Sequence, residues 1–242
     1  MSIYITGDCH GNFERFSTKK LKQANLKLTQ DDIVIVAGDM GIIWGERDTA
    51  GIGPYLTKLS ANDLWWIRWM EEKPFQVLFV DGNHENFDLL NSFPIVEKYG
   101  APVNQIGKNI FRLRRGQVYT IHEKRFFTMG GATSIDRFMR RERISWWPEE
   151  IPTYKEWETA FHTLNKCDWS VDYVITHTAP LAFLKNRRNF SFQDDNCPVR
   201  QGLNRILEFI QYSHWYFGHF HEVYEDPEYK CSWLYMNIEK IL

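Results

Sequence analysis

The sequence has only four cysteines and no Cys-x-x-Cys pair, which excludes a zinc knuckle and a disulfide framework. Its longest apolar runs are five residues, far short of the ~20 that a helix needs to span a bilayer. Neither charge is in excess: 29 Lys and Arg stand against 31 Asp and Glu, for a net charge of -2. That balance gives no global electrostatic reason to bind nucleic acid or a membrane surface. Residues Met1 to Gly11 show no basic region ahead of an apolar stretch, so they do not read as a secretion signal, and a cytoplasmic location is expected. There is no internal repeat, linker or low-complexity segment, and a single domain over residues 1–242 is expected. What the chain does have is apolar material. At 43 % hydrophobic and 16 % aromatic, it can bury a substantial core.

Short β-branched and aromatic runs recur at Ile3 to Thr6, Ile33 to Ala37, Val77 to Val80, Tyr173 to Thr176 and Trp215 to Phe217. Near-continuous apolar runs of this length read as strands covered on both faces. Between them lie stretches of helical spacing: Asn12 to Ala24 with Asn12 as N-cap, Pro54 to Lys73, Thr153 to Lys166 and Arg200 to Tyr212. Gln117 to Thr128 reads as strand, turn, strand, with Glu123, Lys124 and Arg125 in the turn. The alternation predicts an α/β protein with added antiparallel strands in the middle and at the C-terminal end.

The informative residues are those that follow each apolar run. They are Gly7-Asp8-Cys9-His10, Gly38-Asp39-Met40-Gly41, Asp81-Gly82-Asn83-His84-Glu85, His177 with Pro180 three on, and Gly218-His219-Phe220-His221. Ligands of open α/β sheets bind at the carboxyl ends of the strands, so these side chains would gather in one crevice. Each fragment alone is weak. With 14 Asp and 8 His in the chain, an Asp-x-His is expected by chance roughly half a time, and a lone histidine is most often a hydrogen-bonded or exposed one. Gly38-Asp39 by itself is equally an ordinary turn. The weight lies in the set, with five of the eight histidines at strand ends beside glycines that let the backbone turn.

This ordered set resembles the calcineurin-like metallophosphoesterases, whose blocks are Asp-x-His, Gly-Asp, Gly-Asn-His-[Asp/Glu], a lone His and Gly-His-x-His. All five occur here in that order, between residues 8 and 221. The resemblance implies a four-layer sandwich of two packed mixed β-sheets flanked by helices. It also implies a hydrolase of phosphate esters with two divalent ions drawn from manganese, iron, zinc or nickel. By resemblance, Asp8, His10 and His221 hold the first ion, Asn83, His177 and His219 hold the second, and Asp39 bridges both. Two such ions lower the pKa of a shared water so that it attacks phosphorus in line. His84 matches the family's general acid for the leaving oxygen and is not a metal ligand. His122, His162 and His214 fall outside the blocks and are expected to be structural or surface residues.

One departure matters. Many phosphoprotein phosphatases of this superfamily continue the second block as Gly-Asp-x-x-Asp-Arg-Gly, whereas Gly38-Asp39-Met40-Gly41-Ile42-Ile43-Trp44 has neither the second Asp nor the Arg. Glu46 or Asp48 could stand in spatially for the Asp that supports the catalytic histidine. The missing arginine has candidates in Arg137, Arg140, Arg141 and Arg143, which fall within seven positions. A guanidinium fork suits phosphate because it donates two parallel hydrogen bonds, so Arg137 or Arg140 is expected at the substrate. The competing reading is a solvated face paired with Asp136 and Glu142. Trp146-Trp147 either walls a pocket for a flat group or packs in the core, and Trp65, Trp66 and Trp69 read as a helix face. The partner is a phosphorylated substrate, with phosphodiester or nucleotide on one side and phosphomonoester or phosphoprotein on the other. A non-catalytic interaction scaffold on the same fold is the alternative, although all the ligand positions and His84 are intact. A Rossmann-type nucleotide binder lacks its glycine fingerprint, because Asp8 and His10 occupy the first turn.

Overall fold

The computed structural model describes residues 1–47, 58–184 and 196–242. Strands β1 (Ile3–Thr6), β2 (Ile33–Ala37), β3 (Gln76–Val80), β4 (Ile95–Lys98), β5 (Ala101–Gln105), β6 (Ile110–Leu113) and β13 (Ile238–Lys240) form a seven-stranded sheet in the order β13-β1-β2-β3-β6-β5-β4. Strands β7 (Gln117–Ile121), β8 (Lys124–Met129), β9 (Tyr173–Thr176), β10 (His214–Phe217), β11 (Tyr224–Asp226) and β12 (Cys231–Trp233) form a six-stranded sheet in the order β11-β12-β10-β9-β8-β7. Both sheets are mixed. β1, β2, β3 and β6 run parallel, as do β8, β9, β10 and β12, with antiparallel strands at the edges.

The continuous apolar runs now have their cause. Ile33 and Ile35 of β2 face the other sheet, in a core shared with Ile3, Leu78, Phe126, Ile175 and Tyr216. Their neighbours Val34 and Val36 point outward against Phe13, Phe16, Ile67 and Met70. On the far side, Val174, Trp215 and Phe217 pack under Ala160, Leu164, Leu203 and Ile206. With α1 (Thr18–Gln23) and α2 (Ala61–Glu71) on one flank and α4 (Tyr154–Lys166) and α5 (Pro198–Leu207) on the other, the layers run helix, sheet, sheet, helix. A short α3 (Phe87–Leu90) follows β3. Among the described residues no helix is long and apolar enough to cross a membrane.

Capping explains where the helices begin and where the expected bounds fail. The expected helix from Asn12 to Ala24 splits into a 3-10 turn at Glu14–Phe16 and α1. Asn12 Oδ1 accepts from the Glu14 N–H at 3.0 Å, while Ser17 caps α1 by accepting from the Lys20 N–H at 3.3 Å. Ser60 and Asp63 form a capping box that starts α2 at Ala61; the expected start at Pro54 lies outside the described residues. Thr153 and Glu156 do the same for α4. Pro198 opens α5, two residues earlier than expected, and the helix ends at Leu207 rather than Tyr212. The β7–β8 turn sits on His122 and Glu123, both at positive φ, and Lys124 and Arg125 already belong to β8. All four cysteines are free.

One buried ion cluster ties this frame to the loops above it. Asp81, fully buried after β3, accepts from Arg112 (Nε 2.9 Å, Nη2 2.8 Å) and from Arg115 (Nε 2.7 Å, Nη2 2.6 Å). Its carbonyl accepts from the Gly131 N–H, and Arg115 also donates to the Glu149 carbonyl. Burial alone would raise the Asp81 carboxyl, but Arg115 and Arg112 outweigh it and hold the group below its ordinary value. Asp81→Ala strands two guanidinium groups out of water and is expected to cost about 3–5 kcal/mol in urea unfolding. Because the folded pKa is depressed, the cluster's stability is present above the ordinary carboxylate pKa and is lost as pH falls below it. The gap between wild type and Asp81→Asn should therefore shrink below about pH 4.

Candidate metal centre

Asp8 and His10 follow β1, Asp39 follows β2, and Asn83, His84 and Glu85 follow β3, all at carboxyl ends of parallel strands in the seven-stranded sheet. His177 follows β9, and His219 and His221 follow β10, at the matching ends of the six-stranded sheet. The site therefore forms along the seam where the two sheets' strand ends meet. Its turns are tight. His10, Asp39, His219 and His221 all have left-handed backbones, with φ of 47°, 46°, 70° and 53°. A side chain there costs on the order of 1 kcal/mol or more, and such residues persist where the surrounding structure holds them. Two glycines make room. Gly38 (φ 94°) lies flat against the His177 ring, and Gly82 against the Asp39 carboxylate, and a Cβ at either position would overlap those groups.

Three sets of donor atoms converge, each within 4.8 Å: Asp8 with His10 and His221, His10 with Asp39 and His84, and Asp8 with Asp39 and His177. Asp8 Oδ2 is 3.0 Å from His221 Nε2 and 3.6 Å from His10 Nε2, and the two imidazole Nε2 atoms face each other at 2.9 Å. Asp39 Oδ2 stands 3.3 Å from His177 Nε2 and 3.8 Å from His10 Nε2. Its Oδ1 accepts from the His84 N–H at 2.8 Å. The His219 N–H donates to both Asp8 oxygens at 2.9 and 3.2 Å, and its ring lies edge-on to His177 with centroids 5.0 Å apart. His219 is thus beside the cluster, although its ring nitrogens belong to none of the three converging sets.

The chemistry of this donor set fits a bound cation. Asp8 and Asp39 are each 1 % exposed, and burying two carboxylates side by side demands positive charge between them. Burial raises both, yet His10 and His221 at Asp8, and His177 at Asp39, hold both well below the usual carboxylate range. His177 stands 3.0 Å by its Nδ1 from the Ala37 carbonyl, which fixes Nδ1 as the donor. Its Nε2 then faces Asn83 Oδ1 at 3.1 Å. Two acceptors at that distance repel unless a proton or a metal ion sits at them. Without a metal, burial would lower His177, but Asp39 and Asp8 outweigh it and lift the imidazole to about 10. His219, half-buried beside it, is pushed down to about 3 by desolvation and by the neighbouring His177 charge.

The calcineurin-like phosphoesterase family model matches residues 1–223. The chain belongs to that family. No curated protein matches it. Among solved structures it is similar to a Staphylococcus aureus protein assigned as a 5'-nucleotidase, crystallised with alpha-ketoglutarate. The TM-score is 0.48 and the identity 12 %, over 99 % of this chain and 50 % of that one. The present chain thus spans half the length of that protein. It is also similar to the phosphopantetheinyl hydrolase of Mycobacterium tuberculosis, with a TM-score of 0.44 and 14 % identity over 100 % of this chain and 95 % of that one.

Around the candidate centre, several groups hold the loops in place. Glu85 accepts from the Met40 and Gly41 N–H groups at 2.8 and 3.2 Å, tying the third block to the second. Burial, with Asp39 and Asp81 nearby, pushes its carboxyl up to about 8. Arg15, buried under the first block, donates to the carbonyls of Gly7 at 3.0 Å, Asp8 at 2.5 Å and Tyr235 at 2.8 Å. Its sequence signal is that of any polar residue on a short helix, so nothing marked it in advance.

The arginine cluster divides. Arg140 is held by Asp136 through Nε at 2.7 Å and Nη2 at 2.8 Å, and donates to the Ser145 carbonyl at 2.9 Å. Arg143 pairs with Asp88 and Glu149. The Arg137 guanidinium lies over the Trp146 ring at 5.3 Å, its backbone N–H donates to the Ser134 carbonyl at 3.3 Å, and its charge is among those that act on the Glu150 carboxyl. Burial lowers the His84 pKa, Asp39 opposes it, and Arg140 adds to the lowering; His84 in turn is among the charges that lower Asp136. The Asp136–Arg140 pair thus sits within electrostatic reach of His84. Glu46 is paired with Lys58 at 2.6 Å, and Asp48 lies outside the described residues. Trp147 is core, 1 % exposed, with its Nε1 donating to Asp88 at 2.9 Å. Trp66 and Trp69 pack partly buried against the core, while Trp65 is 54 % exposed. His214 Nε2 lies 2.9 Å from Ser232 Oγ.

Proposed function

We propose that the chain hydrolyses phosphate esters at a two-metal centre, with Asp8, His10 and His221 on one ion, Asn83, His177 and His219 on the other, Asp39 shared, and His84 as general acid. The observation that carries this reading is the convergence of Asp8, His10, Asp39, His177 and His221 donor atoms on one seam, with His84 at its edge. Bound there, two divalent ions supply an activated water and offset charge on the phosphoryl oxygens. The chain's own residues do the rest. Asp39 spans the donor sets through Oδ2 and orients the third block through Oδ1. His84, half-buried and edge-on to His10 at 5.1 Å, is placed to give its proton to the leaving oxygen. The proposed ligands run from position 8 to position 221 and come from both sheets, which supports reading the chain as one domain.

Of the two arginines, Arg140 already has its donors engaged by Asp136 and Ser145, so Arg137 is the one assigned to substrate phosphate. Arg137→Ala is expected to raise KM about 10-fold or more with a smaller change in kcat, as loss of one charge-assisted pair does. An unchanged KM on every substrate that turns over would remove Arg137 from the site. Function itself is tested by a hydrolysis panel in manganese comparing an aryl monoester, an aryl diester, a cyclic nucleotide, a dinucleoside polyphosphate and a phosphopeptide. Metal-dependent turnover of at least one supports the reading and ranks the ester classes. No metal-dependent turnover of any would favour a non-catalytic scaffold.

A further inference from the structure

Two sequence blocks contribute no donor to the centre: Gly130-Gly131-Ala132-Thr133-Ser134 after β8, and Trp146-Trp147-Pro148-Glu149-Glu150 ahead of α4. The fold brings their last residues together beside Asn83, and all three side chains are buried, Ser134 at 4 % exposed, Glu150 at 0 % and Asn83 at 4 %. Ser134 donates its N–H to Glu150 Oε1 at 3.1 Å and its hydroxyl to Glu150 Oε2 at 2.6 Å. Asn83 Nδ2 donates to the Ser134 hydroxyl oxygen at 3.1 Å. Asn83 Oδ1 lies on the other side, 3.1 Å from His177 Nε2.

From this chain we infer that Ser134 and Glu150 are positioning residues that decide which end of the Asn83 amide faces the metal centre. The inference rests on reading Asn83 as a ligand, as proposed above. Glu150 accepts the Ser134 N–H at Oε1 and the Ser134 hydroxyl at Oε2, so both Ser134 donors are committed to Glu150. The hydroxyl oxygen is left with lone pairs alone and can only accept from its third neighbour. That neighbour must then present its NH2, which turns the amide oxygen toward His177 and the centre. An amide turned the other way would aim two N–H bonds at the ion and bind nothing. Partners of this kind, which fix a ligand's orientation without touching the metal, typically change affinity by 10–100-fold when removed.

Glu150→Gln keeps the shape but breaks the rule, because a glutamine amide can donate to the Ser134 oxygen. The hydroxyl is then free to donate to Asn83 Oδ1 and draw it away from the centre. The test is a calorimetric titration of Mn²⁺ into chelator-treated protein, with circular dichroism to confirm folding. Wild type is expected to bind two ions. Glu150→Gln and Ser134→Ala are expected to weaken one ion about 10–100-fold and leave the other as in wild type. Adding Asn83→Asp to Glu150→Gln should recover the lost affinity, since a carboxylate accepts the serine hydroxyl with one oxygen and offers the other to the metal. A purely structural role for Glu150 gives no such recovery. Should Ser134→Ala fail to fold, the Glu150→Gln pair carries the test. A wild type that binds two ions beside a Glu150→Gln that binds both with unchanged affinity overturns the relay alone, and so does an equal loss of both ions in folded Glu150→Gln. A wild type that binds no manganese overturns the two-metal reading, and the relay with it.

Discussion

Asp39→Asn is expected to lose both metal ions and to lower turnover on the order of a thousandfold or more. The reason is that Asp39 is the carboxylate assigned to both ions, and its Oδ2 faces donors of both groups, His177 on one side and His10 on the other. Its Oδ1 is already taken by the His84 N–H at 2.8 Å, and its Oδ2 is 3.3 Å from His177 Nε2 and 3.8 Å from His10 Nε2. An asparagine keeps the His84 contact by placing its oxygen there, which leaves the NH2 aimed at the histidines where negative charge is needed. The same substitution removes one of two buried charges that attract the cations in the first place. His10→Ala should behave differently. His10 sits nearest Asp8 and His221 at the solvent-facing side of the cluster, its side chain 32 % exposed, so its loss should weaken one ion and spare the other. Metal content after dialysis, measured on both variants, separates the two. Asp39→Asn retaining two ions would contradict a shared carboxylate.

His84→Gln is expected to lower kcat by about 10²–10⁴ while leaving metal content as in wild type. The ring nitrogens of His84 come within ligand distance of His10 and Asp39 donors, so geometry alone admits two roles, and the substitution tells them apart. A general acid matters most when the leaving oxygen is a poor leaving group. The loss should therefore be large for an alkyl phosphate ester and small for a nitrophenyl ester, whose phenolate needs little help. An equal loss for both esters, accompanied by loss of one ion, would make His84 a ligand instead.

The sheets were legible because strands buried on both faces leave a mark that the chain cannot disguise. Ile33 to Ala37 is apolar at every position since β2 meets the opposite sheet on one side and helices on the other. The metal-centre blocks were legible for a related reason: the turns that present Asp or His after β1, β2, β3 and β10 have glycine beside them, at Gly7, Gly38, Gly82 and Gly218, although His177 has none. Helix starts were less so, since Asn12 and Ser17 are both good caps and only packing of Phe13 and Phe16 under the sheet decides between them. The supporting groups could not be read at all. Arg15 works through backbone carbonyls, which leave no sequence trace. Asp81 reads with the strand-end block expected in the crevice, but it turns instead into a buried ion cluster whose partners Arg112 and Arg115 lie on another strand and loop. Ser134 and Glu150 act on Asn83 across 51 and then 16 positions, a separation that local spacing does not reveal. The arginine cluster was half legible. Its Asp136 partner was foreseen for a solvated face, and the stacking of Arg137 on Trp146 was not.

The most direct test of the two-metal centre is electron paramagnetic resonance of the chelated protein reloaded with Mn²⁺. Two ions sharing the Asp39 carboxylate are expected to give a spin-coupled signal at two equivalents per chain, replaced by weakly bound, uncoupled manganese in Asp39→Asn. A wild-type spectrum of isolated ions only, or saturation at one equivalent, would contradict the account.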